Sequence, residues 1–354
     1  MRNDGRALVL LVVGSTIALL GCGGQGGPQS GGPSGTPMAD GSTGPGSSTA
    51  ASPAVASFPP AAPFAFGSTD PVITTADAGL PDEKYVNPGA VIAAPDGTLH
   101  LYANVFSPWP GPVQVVHFTS SDGLAWKRVA AVPELSSAQL PFADPGADVS
   151  TGIVLADGTW VVVIESVRSS RPWELYEATA PGPAGPWTVG STPILGAGPA
   201  GAIDAGGLRW PSIVPGGPGY LLYYGAVPLG AGPGVIAVAT SADGRTWQRR
   251  PQPVLVPDRP FEASMVDRPR VTTTSSGFLM IYSGAPITNR GEAMSPDGIT
   301  WIKAGDGPVI SRPQFPIDGG SWDAALFGVG GRLVYLLEIG TDGSHTADFA
   351  ATTP

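Results

Sequence analysis

The sequence predicts an all-β protein: a five-bladed β-propeller of four-stranded antiparallel sheets, carried behind a disordered N-terminal tether. Three observations predict it. A turn signature ending in tryptophan recurs at intervals of 54 to 61 residues. Five matching strand pairs lie between the signatures. Helical periodicity is nearly absent in a chain with 51 Gly and 40 Pro, which punctuate it as they do all-β folds.

The signature reads Ser120-Ser-Asp-Gly-Leu-Ala-Trp126, Ser241-Ala-Asp-Gly-Arg-Thr-Trp247 and Ser295-Pro-Asp-Gly-Ile-Thr-Trp301, with a variant Ala180-Pro-Gly-Pro-Ala-Gly-Pro-Trp187. Asp-Gly supplies the positive φ of a hairpin turn, and Ser and Asp oxygens can accept from backbone amides inside it. The tryptophan is expected to pack back over the turn between neighbouring blades, a structural role. Such a spacing suits a four-stranded blade plus loops, since helical solenoids repeat over shorter intervals.

Each strand pair starts at the axis and ends in an aromatic strand. The five begin at Asn87-Pro88, Asp148-Val, Trp210-Pro, Arg268-Pro and Asp323-Ala. Their second strands are Leu99–Tyr102, Trp160–Glu165, Tyr220–Tyr224, Phe278–Tyr282 and Leu333–Glu338. Five units closed in a ring leave no exposed sheet edge. The predicted axial ring is therefore Asn87, Asp148, Trp210, Arg268 and Asp323.

The N-terminus predicts export. Arg2 and Arg6 precede an apolar run from Ala7 to Leu20, short for a bilayer span, which ends in Leu19-Leu20-Gly21-Cys22. This ending resembles the lipobox of bacterial lipoproteins, which implies a signal peptide over 1–21, a lipidated Cys22 and a membrane anchor made by the N-terminal lipid alone. Cys22 is the one cysteine of the chain, so no disulfide forms and the domain must rest on its core. The stretch 22–62 is nearly all Gly, Ser, Pro, Thr and Ala. It cannot bury enough apolar surface to order itself and would span about 35 Å as a flexible linker. The propeller domain is expected over 63–354. The expected location is the cell envelope, on the outer membrane or cell surface.

The net charge of −10 and the lack of a Lys/Arg cluster disfavour nucleic acid and anionic lipid as partners. A neutral carbohydrate is compatible. Three histidines and one cysteine leave a zinc set short. No cofactor is expected, with Ca²⁺ held by channel carbonyls and carboxylates as the one candidate ion. A propeller of this size closes without a partner, so a monomer is expected.

The signature, the Gly-Pro-Trp variant and starts such as Trp210-Pro-Ser-Ile-Val together resemble the five-bladed glycoside hydrolases, the arabinanase and xylosidase-like furanosidases with their invertase and levansucrase relatives. The resemblance covers about 80% of the chain. It implies three carboxylates at the channel mouth: a base from blade one, a pKa-modulating Asp from blade two and a general acid from blade three. Asn87 stands at the first position, and an amide cannot accept the proton. Asp148 fits the second. For the acid, Glu262 is the first choice, with Asp204 at a similar offset one blade earlier. Asp148, Glu262 and Asp323 are thus the expected catalytic carboxylates. Asn87, Asp204, Trp210, Arg268 and Trp322 are the expected sugar-binding residues, the indoles as stacking platforms. The corresponding functions are a surface glycoside hydrolase acting on an extracellular poly- or oligosaccharide, or an inactive propeller that binds glycan in the same cleft. The signature also resembles the sialidase Asp-box, but one residue is missing between Asp and Gly and a sixth repeat is lacking.

Overall fold

In a computed structural model of the protein, residues 64–354 are described, apart from 170 and 343. The expected signal peptide, Cys22 and the whole of the expected linker lie outside them. Strands dominate, with three 3₁₀ turns at Ser137–Gln139, Pro260–Glu262 and Arg312–Gln314 between blades.

The strands form five antiparallel sheets. Blade one holds Tyr85–Ala93, Leu99–Phe106, Val113–Ser120 and Lys127–Arg128, with the short strand Leu135–Ser136 paired to the third. Blade two holds Pro145–Val154, Trp160–Arg168, Leu175–Ala180 and Thr188–Val189. Blade three holds Gly207–Gly216, Gly219–Val227, Val235–Ser241 and Gln248–Arg249. Blade four holds Asp267–Thr274, Gly277–Ser283, Arg290–Ser295 and Ile302–Lys303. Blade five holds Ser321–Val329, Arg332–Gly340 and Thr346–Thr352, and takes its outermost strand, Ala65–Phe66, from the opposite end of the chain. Pairing of Ala65 with Thr352 and Phe66 with Ala351 closes the ring. This accounts for four tryptophan turns and not five: in blade five the outermost place, which follows that turn in the other blades, is filled by Ala65–Phe66.

Each blade is buried on both faces, so its second strand reads as a continuous apolar run rather than an alternating one. In blade two, Val162 and Ile164 pack on Ile92 and Tyr102 of blade one, while Val163 packs on Ile213 and Leu222 of blade three. Equivalent clusters fill the interfaces of blades three and four, four and five, and five and one.

The turns behave as their chemistry requires. Ser120, Ser241 and Ser295 each accept through Oγ from the glycine amide three residues on, at 2.9, 2.9 and 2.8 Å. Asp122, Asp243 and Asp297 each accept two further amides. Gly123, Gly244 and Gly298 have φ of 74°, 75° and 76°. All three also press on the preceding blade, where a Cβ would collide with Phe327, Leu155 or Leu221. The tryptophans seal the same seams: Trp126 meets Phe327, Trp187 meets Tyr102 and Trp301 meets Tyr223, all edge-on.

Candidate functional site

All five inner strands are interrupted near their start by a register shift. A bulge re-aims side chains and ends regular pairing. Here the bulges deliver the hub residues. Pairing resumes at Ala90, Thr151, Ser212, Arg270 and Ala324. Counted back three residues, the equivalent positions are Asn87, Asp148, Arg209, Asp267 and Ser321. The ring expected from sequence is therefore out of step: Trp210 and Arg268 stand one residue later, inside the bulge, and Asp323 two. Spacing from the turns could not fix this, because a bulge adds a residue that strand-pair counting does not register.

The bulge still brings the expected residues together in part. Asn87 donates through Nδ2 to Asp323 at 3.4 Å and accepts through Oδ1 from Asn104 at 2.7 Å. Asn104 also holds both backbone groups of Val149, next to Asp148. Asp148 is buried, and its carboxyl is pushed well above the usual range by burial first, then by Asp323, Glu165 and Glu338. Glu165 pairs with Asp148 in strand register and accepts the Trp210 amide at 2.6 Å. Burial and Asp323 push it up to about 7, against that hydrogen bond. Glu338 accepts the Asp323 amide at 3.1 Å and is pushed up to about 8 by burial and by Asp323. Asp348, its register partner, is raised further by burial, Glu338 and Asp323. Blades two and five thus contribute five carboxylates, of which Asp323 retains 15% side-chain exposure and lies 3.7 Å from Arg270.

Blades three and four contribute the opposite charge. Arg268 lies over the Trp210 ring at 3.7 Å and pairs with Asp267 at 3.0 Å. Arg209 lies over Trp173 at 4.3 Å and within 5.7 Å of Trp210. Trp210 and Arg268 have φ of 50° and 49°, each before a proline. That left-handed conformation is costly for bulky side chains, and proline disfavours helical backbone before it. The stack is held at the expense of this strain, a pattern met at binding sites. Arg270 and Arg290 are buried and spent on structure, Arg270 on the Ala324, Trp210 and Pro211 carbonyls and Arg290 on Ser283, Ser321 and the Trp322 carbonyl.

A pocket of about 450 Å³ opens beside the stack, lined by Arg209, Trp210, Asp267 and Arg268 and walled by Pro228 and Met265. It exists because blade three has glycine, Gly225, where blades one, two and four carry Asn104, Glu165 and Ser283. A larger pocket lies far out, among turn residues such as Asp243 and Asp297, where no hub chemistry reaches it. Trp322, at 42% exposure, presents its ring beside Asp323 and rests on Gly320 and Gly340.

Two expected residues stand apart. Glu262, expected as the acid, is buried and holds the amides of Asp258 and Arg259, the Tyr282 hydroxyl at 2.6 Å and Lys303 at 2.7 Å. Burial would raise it, but Lys303, Tyr282 and the amides outweigh burial and lower its pKa. A general acid needs the reverse. Asp204 repeats the arrangement in blade three with Tyr224 and Arg249. The shared six-residue offset therefore marks a bracket that ties the loop before each inner strand to the second and fourth strands. Sequence reasoning missed Glu165, Glu338, Asp348 and Arg209. A carboxylate ending the apolar runs of Trp160–Glu165 and Leu333–Glu338 was the available signal for the first two. Among the described residues, no group of three or more His, Cys, Asp or Glu side chains is placed to hold a metal ion.

No protein-family description and no curated sequence matches the chain. Solved structures do. A thermostable family-43 glycoside hydrolase superposes with TM-score 0.58 at 16% identity, over 75% of this chain and 88% of that one. A GH43_1 enzyme from Xanthomonas citri gives 0.56 at 14%, over 80% and 90%. A β-1,2-mannobiose phosphorylase from Listeria innocua, solved with β-1,2-mannobiose, gives 0.57 at 14%, over 77% and 90%. At these identities the likeness is one of fold, and by fold this chain is a five-bladed β-propeller like theirs.

Proposed function

We propose that this propeller recognises an extracellular poly- or oligosaccharide at its hub and does not cleave it by the mechanism of the enzymes it resembles. The observation that carries the reading is Asn87. Where that mechanism needs a carboxylate base, an amide bridges Asn104 and Asp323. Blade three offers Arg209 and Trp210 in place of an acid. Indole faces at Trp210 and Trp322 suit the C–H faces of sugar rings, and Asp323, Asn87 and Arg268 suit hydroxyls. We further propose that Cys22 is lipidated and holds the domain at the cell surface on its linker. The sequence Leu19-Leu20-Gly21-Cys22 supports this.

A second reading, hydrolysis, is favoured by one feature. Burial and then Asp323 push the Asp148 carboxyl well above the usual range, the electrostatic direction required of an acid beside a carboxylate. The experiment that separates them screens the full chain for binding and for turnover against aryl furanosides, aryl pyranosides and polysaccharides. Binding without turnover is expected. Turnover abolished by Asp148→Asn with binding retained would reverse the assignment. Absence of both would remove the glycan reading altogether.

A further inference from the structure

The hub is polarised. Carboxylates come from blades two and five, and the arginines come from blades three and four. On the cationic side, Arg268 is neutralised by Asp267 at 3.0 Å. Arg209 is different. Among the described residues its side chain makes no hydrogen bond and no ion pair, and its Nε is buried without a partner. Its guanidinium lies instead against two indoles, over the Trp173 ring at 4.3 Å and 5.7 Å from the Trp210 ring. A guanidinium fixed by stacking and left unpaired has its donor edge free for a planar, bidentate acceptor. Arg209 lines the 450 Å³ pocket beside Trp210, with the exposed Ser264 on the rim.

We propose that this pocket takes the carboxylate of a uronic acid, so that the glycan recognised at the hub is an acidic one. The inference rests on the glycan-recognition reading and narrows it. Arg209 pairs with the carboxylate, Trp210 stacks on the same ring, and the polarity of the hub sets direction: the acidic ring lies over blades three and four, and the neutral rings next to it extend toward Asp323 and Trp322. The chain's net charge of −10 disfavours polyanions at long range. Selectivity therefore comes from one desolvated contact and not from a general field. A free anion lacks the ring that Trp210 would cover.

The test uses the full chain and matched oligosaccharide pairs: galacturonate against galactose, glucuronate against glucose and mannuronate against mannose, measured by calorimetry at low and high salt. One acidic member is expected to bind about tenfold more tightly than its neutral partner, the usual scale of one charge-assisted pair. Arg209→Gln should erase the preference, bringing the acidic member to the affinity of its neutral partner. Arg209→Lys should restore it only in part, because a point charge replaces the planar fork. Acetate should not compete at concentrations that leave the oligosaccharide bound. Equal binding of acidic and neutral partners, binding of neutral sugars alone, or a preference that survives Arg209→Gln overturns the inference and leaves glycan recognition standing. Binding of no member of any pair overturns both. Thermal melting of each variant separates lost contacts from lost folding.

Discussion

The Arg268 guanidinium lies 3.7 Å above the Trp210 ring, and both residues sit at the same step of their bulges with φ near 50°. Two adjacent blades therefore hold the same unfavourable backbone to bring one cation onto one indole. A contact of this kind is worth on the order of 1–2 kcal/mol when partly desolvated. Left-handed backbone in a non-glycine residue costs about 1–2 kcal/mol. The stack roughly offsets the strain at one residue and not at two, so the site stands on the stability of the surrounding blades.

This gives an inverted expectation for glycine. In most positions Gly is less stable than Ala by about 0.5–1 kcal/mol. At Trp210 the order should reverse: Trp210→Gly should be more stable than Trp210→Ala by about 1 kcal/mol, since only glycine adopts that φ freely. Urea melts of the two variants measure the difference, and both should lose glycan binding. If Ala is the more stable, the backbone there is not strained.

The carboxylates set a pH dependence whose sign comes from their direction. Asp148, Glu165, Glu338 and Asp348 are all raised in the fold. Their stability contribution is complete below the unfolded values and is lost as pH rises through the folded ones, about 7 for Glu165 and about 8 for Glu338. Melting temperature should therefore fall from mildly acidic to mildly alkaline solution. Glu338→Gln should flatten the upper part of that fall, because the amide stays neutral throughout. A melting profile that rises over the same range would contradict the buried cluster.

Glu262 should behave as a structural residue. Its removal leaves Lys303, which is nearly buried, with only the half-exposed Asp258 as counter-ion. Breaking a buried pair from one side costs about 3–5 kcal/mol. Glu262→Gln should lower stability on that scale and leave glycan affinity unchanged, read by denaturant melts and calorimetry on the same preparation. Asp148→Asn should do the opposite: a small change in stability, since burial and Asp323 already favour the neutral form that the amide reproduces, and a change in ligand binding at the hub.

The outer turns offer a graded comparison. Asp297→Ala removes the acceptor of the Ile299 and Thr300 amides, both at an exposed turn, and should cost about 1 kcal/mol. Gly298→Ala should cost more, about 2 kcal/mol or above. It drives a Cβ into the Leu221 side chain at a φ of 76°. Neither variant should alter binding at the hub. Equal costs for the two would mean that the turn, and not the seam between blades three and four, sets the stability there.

The blades were legible in the sequence because their signals are local. Asp-Gly turns, serine and aspartate acceptors and the closing tryptophan act within seven residues, and four copies at similar spacing reveal the repeat. Five axial starts could be counted for the same reason. What escaped was everything that depends on distance along the chain. Ala65–Phe66 carries no signal of its own and becomes a strand only against Thr352 and Ala351. Glu262 and Asp204 looked like site residues by offset, and only their partners Tyr282 with Lys303 and Tyr224 with Arg249 show that they brace loops.

The sequence by itself determined the class of fold and the number of blades, since turn chemistry and apolar runs are properties of short segments. Tertiary structure alone decided which side chains face the hub. One bulged residue in each inner strand displaces the rest of that strand by a position, and a shift of one reverses the face on which a strand's side chains lie. That is why Arg209 joins the centre and why the ring read from spacing was displaced at Trp210, Arg268 and Asp323, while Glu165 and Glu338 join it from the second strands by pairing beside the inner ones.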